Sequence, residues 1–131
     1  MGMGSNGVYL IASGGTVENV NVISNGGNGI LIELGTAKGN KVIKNGLSGI
    51  IGSSAVITQN MVSQNRFQGI NVNDSIVINN ALIVNGSVGL AASNTGFAQN
   101  VFSSNNGSFA NPQFTGRGAI GPNSCDGSVC P

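Results

Sequence analysis

The residues of this chain that could act as general acids or bases are four carboxylates, Glu18, Glu33, Asp74 and Asp126, because histidine is absent. Enzymes that cleave glycosidic bonds use pairs of carboxylates at a fixed separation. Glu33 and Asp74 fall on neighbouring columns of a sequence repeat, two repeats apart, which predicts a separation of roughly 10 Å if the repeats stack like paired strands. They are the candidate acid and base. The alternative, which we favour, is that both are exposed turn carboxylates that keep the protein soluble.

The two cysteines, Cys125 and Cys130, enclose four residues that include the turn-forming pair Asp126 and Gly127. A structural zinc site takes four nitrogen or sulfur ligands, and this chain does not supply them. We therefore predict a local disulfide, which indicates an oxidising compartment; free thiols in a cytosolic protein are the alternative. Calcium prefers several carboxylate oxygens, which four scattered carboxylates do not offer. No metal and no cofactor are predicted.

The composition excludes several other functions. The net charge is +1 and no basic stripe is present, so we expect no nucleic-acid partner. No apolar run approaches the roughly 20 residues that span a bilayer, so we expect no membrane insertion. The segment from Gly116 to Gly121 has the spacing of a dinucleotide-binding loop, but no strand and helix flank it. The missing histidine also excludes Ser/His/Asp and Cys/His catalysis.

A repeat of 20 residues accounts for most of the remaining sequence. Two columns are asparagine, one is glycine and three are apolar. The asparagine columns are Asn25, Asn45, Asn65, Asn85 and Asn105, and Asn40, Asn60, Asn80 and Asn100. The glycine column is Gly29, Gly49, Gly69 and Gly89. The apolar columns are Ile30, Ile50, Ile70 and Leu90; Val42, Val62, Leu82 and Phe102; and Ala37, Ile57, Val77 and Phe97. So many columns in register indicate a repeat protein.

Each repeat contains three short alternating stretches separated by Gly, Asn, Asp or Ser, which is the pattern of strands and turns. One coil of this length cannot bury its own apolar side, so we expect the coils to stack into three parallel sheets. The fold class predicted is an all-β solenoid of about five coils, each with three strands. The asparagines then form ladders of hydrogen-bonded amides, and we expect the same asparagines to take the left-handed backbone of the corners. The glycine column fits bends where a side chain would clash.

The two ends of the chain depart from the period. Asn6 to Leu10 match Asn28 to Ile32 at a spacing of 22, and we expect Gly14 and Gly15 to take up the extra length. In this first coil Val20 replaces an asparagine of the ladder. We divide the chain into coils at 1–108 and a C-terminal cap at 109–131. Phe109, Phe114 and Ile120 are expected to form an apolar plug over the last coil.

The motif Asn-Xaa-Val-Xaa-Xaa-Asn-Xaa-Xaa-Xaa-Gly-Ile, read at 40 to 50 and 60 to 70, resembles the repeats of right-handed parallel β-helix proteins. The resemblance covers about residues 6 to 108. It implies membership of the pectate-lyase-like superfamily, a single-stranded β-helix and its right hand. Members include polysaccharide lyases, glycosidases, phage tailspikes and surface proteins, so the fold alone does not give an activity. The lyases of this superfamily use several carboxylates around Ca²⁺ together with a basic residue. This chain does not show that group of residues.

We therefore predict a non-catalytic solenoid that is a structural, adhesive or assembly module outside the cell, at the cell surface or in the periplasm. The alternative is a carbohydrate-binding or polysaccharide-cleaving domain of the same superfamily. Glycan-binding faces combine aromatic side chains with rows of polar groups. The candidate binding residues are Phe67, Asn71, Asn73 and Asn94.

The N-terminal coil shows neither an amphipathic helix nor a polar strand that would cover it, so Val8, Leu10 and Ile11 are expected at an open edge. Three interpretations are open. The one we favour is that upstream coils of a longer secreted solenoid cover this edge. The second is that the edge pairs with another copy, as a closed dimer rather than a filament, because the other end is capped. The third is that the chain is an engineered solenoid.

Overall fold

A computed structural model describes residues 4–11, 13–107 and 111–130 of the protein. The described chain is a parallel β-solenoid of about six turns, in which each regular turn contributes one strand to each of three sheets. Sheet A contains β1 (Val8–Ile11), β4 (Ile30–Glu33), β7 (Ile50–Ser53), β10 (Ile70–Asn73), β13 (Leu90–Ser93) and β16 (Phe114–Thr115). Sheet B contains β2 (Thr16–Glu18), β5 (Thr36–Lys38), β8 (Val56–Thr58), β11 (Ile76–Ile78) and β14 (Gly96–Ala98). Sheet C contains β3 (Asn21–Ile23), β6 (Lys41–Ile43), β9 (Met61–Ser63), β12 (Ala81–Ile83), β15 (Val101–Ser103), β17 (Ser124–Cys125) and β18 (Ser128–Val129).

The register of the sheets confirms the predicted period. Ile50 pairs with Ile70, one period further along the chain. In the first coil Val8 pairs with Ile30, a spacing of 22, whereas Thr16 pairs with Thr36, a spacing of 20. The two extra residues therefore lie between Ile11 and Thr16, where Gly14 has a positive φ of 77°. The predicted position of the insertion is confirmed.

The predicted apolar columns form the core. Strands alternate between inward and outward side chains, so each contributes one or two residues to a continuous internal stack. All of the predicted apolar columns are fully buried: Ile30, Ile50, Ile70, Leu90, Val42, Val62, Leu82, Phe102, Ala37, Ile57, Val77 and Phe97. Neighbouring coils therefore bury apolar surface that a single coil would expose to water.

The backbone at the corners between strands differs from the expectation that the ladder asparagines are left-handed. The ladder asparagines do not take the left-handed backbone; the residue before each of them does. Gln59 before Asn60 has a φ of 57°, and Gln64 before Asn65 has a φ of 55°. A left-handed residue turns the chain sharply, so that the next side chain points into the solenoid. Asparagine is therefore selected here for its amide and not for its backbone preference.

The glycine column is explained by a close approach of successive coils. A Cβ built on Gly49 would lie 2.6 Å from the carbonyl oxygen of Gly69 and 2.8 Å from Nδ2 of Asn65. A backbone carbonyl in a paired sheet cannot move away, so a side chain does not fit at this position. The expectation of a clash is confirmed.

The C-terminal tail follows the path of a sixth turn. Phe114 pairs with Leu90 in sheet A, Ala119 forms a bridge with Phe97 beside sheet B, and Cys125 pairs with Phe102 in sheet C. The tail therefore adds a turn to the five that the repeats predicted. The expected boundary between residues 108 and 109 lies outside the described residues and stays a prediction.

The plug that was expected over the last coil is formed only in part. The ring of Phe114 lies 5.3 Å from that of Phe97 and 5.5 Å from that of Phe102, measured between centroids, so it covers the core. Ile120 is 69% exposed, which corrects its assignment to the plug. Its side chain lies over Gly96 on the outer surface because Ala119, the residue before it, is the one that bridges to the buried Phe97, and successive side chains alternate in direction. Phe109 lies outside the described residues.

Candidate functional site

Two ladders of asparagine amides run along the interior of the solenoid. Nδ2 of Asn45 donates to Oδ1 of Asn65 at 2.9 Å, and Nδ2 of Asn65 donates to Oδ1 of Asn85 at 3.0 Å. The backbone N–H of Asn45 donates to the same oxygen of Asn65, and Nδ2 of Asn65 also reaches the carbonyl of Val42 at 3.2 Å. The column from Asn40 to Asn100 repeats the arrangement. The predicted ladders are confirmed, and no buried side-chain nitrogen or oxygen of the described residues lacks a partner.

The ladders have a direction. Between rungs, the amide nitrogen donates to the rung on the C-terminal side, and the amide oxygen accepts from the rung on the N-terminal side. Both hydrogens of Nδ2 are used: in Asn40 they reach Oδ1 of Asn60 at 3.0 Å and the carbonyl of Val17 at 2.8 Å. The N-terminal side of a rung therefore offers one acceptor and one donor, whereas its C-terminal side offers donors only.

The C-terminal end terminates both ladders with residues that the repeat analysis missed. Oε1 of Gln113 accepts from the backbone and side-chain amides of Asn105 at 2.9 and 3.1 Å, and Nε2 of Gln113 donates to the carbonyl of Asn111. Oδ1 of Asn123 accepts from both amides of Asn100 at 3.0 and 3.1 Å. Spacings of 8 and 23 residues instead of 20 concealed these two rungs. An amide-bearing residue after each ladder was the available signal.

A disulfide hairpin covers the edge of sheet C at the same end. Strands β17 and β18 pair antiparallel, and the predicted disulfide between Cys125 and Cys130 joins them. Both cysteines pack against the core, and Oδ1 of Asp126 in the turn accepts the backbone N–H of Ser104 at 2.9 Å. The hairpin therefore covers the edge of β15 and leaves only the two-residue strand β18 at the end of sheet C.

The N-terminal end has no comparable closure among the described residues. Strands β1, β2 and β3 are terminal strands of sheets A, B and C, respectively, and each pairs on one side only. Thr36 N–H donates to the carbonyl of Gly15, and Asn19 N–H donates to the carbonyl of Lys38. In a parallel ladder these two bonds leave the backbone groups of Thr16 and Glu18 directed away from the neighbouring strand, toward the open end. Among the described residues these groups have no strand beside them, and Ile11, which was expected at the edge, points outward and is 51% exposed. That this edge is open stays a prediction.

The structure places Glu33 and Asp74 where the register predicted. Glu33 pairs with Ser53, which pairs with Asn73, so Asp74 lies one column across and two coils away. Asp74 is exposed, and one of its carboxylate oxygens accepts from Nδ2 of Asn73 at 2.9 Å. The other carboxylates are dispersed: Glu18 pairs with Lys38 at 3.2 Å in sheet B, and Asp126 lies in the C-terminal hairpin. Catalysis by the Glu33 and Asp74 pair stays a prediction.

The candidate binding residues lie on and beside the outer face of sheet A. Asn71 and Asn73 are exposed on β10, and Asn94 lies at the corner after β13. Phe67, in the turn before β10, is 43% exposed, and the Arg66 guanidinium lies 5.8 Å from the centre of its ring. The structure therefore places two amides on one face and a third at the corner beside it, whereas the aromatic ring of Phe67 stands at the border of that face, with the Arg66 guanidinium over it.

A shallow, open depression of about 450 Å³ lies at the corner between sheets A and B. Its lining residues are Ser54, Ala55, Val56, Asp74, Ser75, Ile76 and Asn94. The depression offers polar groups from successive coils above an apolar floor, and one carboxylate. In the described part of the chain, no group of three or more histidine, cysteine, aspartate or glutamate side chains could hold a metal ion.

No helix among the described residues is long and apolar enough to cross a membrane. Comparison of the chain with protein-family models, with curated proteins and with solved structures found no match. The parallel β-solenoid is therefore established from the structure itself. The superfamily and the activity that the sequence motif implied are not established by relatives.

Proposed function

We propose that this chain is a non-catalytic structural module that uses its open N-terminal edge for assembly and works outside the cytoplasm. The observation that carries the proposal is the contrast between the two ends. The C-terminal end satisfies its ladders with Gln113 and Asn123 and covers sheet C with a disulfide hairpin. The N-terminal end leaves the outer side of β2 and β3 unpaired in the described chain. A solenoid closed at one end is suited to joining another element at the other.

The disulfide supports a location in an oxidising compartment, at the cell surface, in the periplasm or outside the cell. The low content of charged residues, 7%, and the dispersed carboxylates support a structural role over catalysis. The resemblance to β-helix surface proteins is in keeping with the same role.

Proline substitutions test whether the edge is used. Thr16→Pro and Asn21→Pro together remove one N–H donor each from β2 and β3 on the side that faces the open end, and leave the bonds to the next coil in place. We expect the unsubstituted chain to associate with rising concentration in sedimentation velocity and the double variant to stay monomeric, with an unchanged circular dichroism spectrum. Equal sedimentation of two folded proteins would contradict the assembly role.

A second candidate function, carbohydrate binding, is favoured by one observation. Asn94, Asp74 and Ser54 stand on successive coils and line the depression above the apolar side chains of Val56 and Ile76. Polar groups repeated at the strand spacing of about 4.8 Å suit the hydroxyls of an extended sugar chain. A glycan array with the unsubstituted chain and an Asn94→Ala variant tests it, and binding that the variant loses would favour this function over the first.

A further inference from the structure

We propose that the corner between sheets A and B binds an extended chain of β-1,4-linked amino sugars, whose ammonium groups meet the carboxylates of Glu33 and Asp74. This inference rests on the carbohydrate-binding candidate above and adds the chemical class of the sugar. It gives a role to the two carboxylates whose spacing the sequence predicted. Three features of this corner carry it: two rows of polar side chains, an apolar strip beside them, and the positions of the charges.

Two rows of polar side chains run along the solenoid at this corner. The first row is the last outward position of successive strands of sheet A: Glu33, Ser53, Asn73 and Ser93. The second row is the corner residue after β7, β10 and β13: Ser54, Asp74 and Asn94. These three corner residues are all left-handed, with φ of 50°, 49° and 46°, so their side chains leave the backbone in the same direction. Both rows repeat at the strand spacing of about 4.8 Å, which lets one polymer contact several coils in the same way.

An apolar strip on sheet B borders the polar rows. Val56 and Ile76 pair in register and point outward, 38% and 47% exposed. Ile120 continues the strip, because its side chain lies over Gly96, the partner of Ile76 in the next strand. A sugar ring has hydroxyls around its rim and C–H groups on its faces. A sugar chain along the solenoid therefore places C–H groups on the strip and hydroxyls on the polar rows.

The charges of the two rows select a cationic sugar. Glu33 and Asp74 are the charged members of the rows, and both are carboxylates. The ion pair of the described residues joins Glu18 and Lys38, so Glu33 and Asp74 have no basic partner there. Nδ2 of Asn73 donates to the Asp74 carboxylate at 2.9 Å, which holds this carboxylate toward the row that contains Glu33. An anionic sugar chain such as a polyuronate would be repelled by both carboxylates, whereas an ammonium group is attracted.

The separation of the two carboxylates favours a β-1,4-linked chain. Glu33 and Asp74 lie two coils apart, roughly 10 Å at the strand spacing. In a β-1,4-linked chain each ring is turned over relative to the ring before it, so ammonium groups on one side recur at every second ring. That repeat is close to two coil spacings. One side of the chain therefore brings an ammonium group to each carboxylate.

Arg117 sets the C-terminal limit of this site. It lies in the tail between Thr115, which pairs with Ala91, and Gly118, so it stands one turn beyond Asn94. A guanidinium at this place repels a further ammonium group. The site therefore takes two ammonium groups, at Glu33 and at Asp74.

Matched variants and matched sugars test the inference by titration calorimetry. Glu33→Gln and Asp74→Asn each remove one charge and keep the shape of the side chain. Each should weaken the binding of a β-1,4-linked glucosamine oligomer about threefold, and the double variant about tenfold, because an exposed ion pair contributes little and separate sites add. Glu18→Gln removes the same charge from sheet B in the first coil and should leave the affinity unchanged. The N-acetylated oligomer has no ammonium group, so it should bind the unsubstituted chain about as weakly as the glucosamine oligomer binds the double variant.

The outcomes separate the class of sugar from carbohydrate binding itself. A preference for the glucosamine oligomer over its acetylated form that the double variant loses supports the inference. Equal binding of both oligomers, lost in Asn94→Ala, would overturn the cationic ligand and leave carbohydrate binding in place. Polylysine that binds as tightly as the glucosamine oligomer, with the same loss in the double variant, would overturn the amino-sugar class, because charge alone would then account for the binding. A chain that binds no sugar would overturn both proposals.

Discussion

Removal of one rung of the asparagine ladder should destabilise the protein far more than removal of an exposed asparagine. Asn65→Ala deletes the oxygen that accepts from the backbone and side-chain amides of Asn45, at 3.0 and 2.9 Å, and the nitrogen that donates to Val42 at 3.2 Å and to Asn85 at 3.0 Å. Oδ1 of Asn85 keeps the backbone N–H of Asn65 as a donor. The backbone N–H of Asn45 and one hydrogen of its Nδ2 lose their acceptor, whereas the other hydrogen keeps the carbonyl of Val22 at 3.3 Å.

The cost follows from these two buried donors. A buried donor without an acceptor costs about 1–3 kcal/mol. A water that enters the vacated space recovers part of this cost because both donors face the same place. We therefore expect Asn65→Ala to lower the free energy of unfolding by about 2–3 kcal/mol, at the upper part of the range for a single donor. Urea unfolding followed by circular dichroism measures the difference.

The control is Asn71→Ala. Asn71 is exposed on β10, and its side chain makes no hydrogen bond to any described residue, so we expect a change within about 0.5 kcal/mol. Asn94 is a poorer control because its φ is 46°, a conformation that alanine adopts less readily than asparagine. Equal losses for Asn65→Ala and Asn71→Ala would refute the reasoning, since the periodic asparagine would then be only a turn residue.

Three further outcomes follow from the packing. Ile70→Asp places a carboxylate in the fully buried stack and should unfold the chain. Ile76→Asp, on the outer face of the next strand, should leave a cooperative thermal melt. Similar melting curves for the two variants would mean that the register is wrong. Gly49→Ala brings a methyl group to 2.6 Å from a backbone carbonyl and should cost about 1–3 kcal/mol in urea unfolding, and an unchanged midpoint would show that the coils are not so close. Reduction of the disulfide between Cys125 and Cys130 should cost about 2 kcal/mol from its short loop, and a chain with serine at both positions should not respond to the reductant.

The two ends of the solenoid give the chain a polarity that bears on how it functions. Each ladder donates from rung to rung toward the C-terminal end, where the oxygens of Gln113 and Asn123 accept the last donors. At the other end of one ladder, Val20 takes the place of an asparagine and donates its backbone N–H to Asn40.

The sequence by itself determined the repeating part of the fold. A strict period of 20 places identical residue types one above another, so Ile50 and Ile70 had to share a stack and Asn45 and Asn65 had to share a ladder. Strand register follows from this period because a shift would turn the apolar columns outward. The period also predicted that Glu33 and Asp74 lie two coils apart. It does not determine whether these two carboxylates act as an acid and a base.

Only the tertiary structure decided the features that do not repeat. Asn123 and Gln113 complete the ladders by position in space, at spacings that sequence periodicity does not detect. The left-handed corner falls one residue before each rung because the turn must aim the amide inward. Ile120 points outward because Ala119, and not Ile120, bridges to Phe97. The repeat period determines the strands, the core positions and the ladders that all regular coils have in common. A coil at an end of the solenoid has a neighbouring coil on one side only. Its structure therefore depends on which hydrogen-bonding groups that neighbour leaves without a partner.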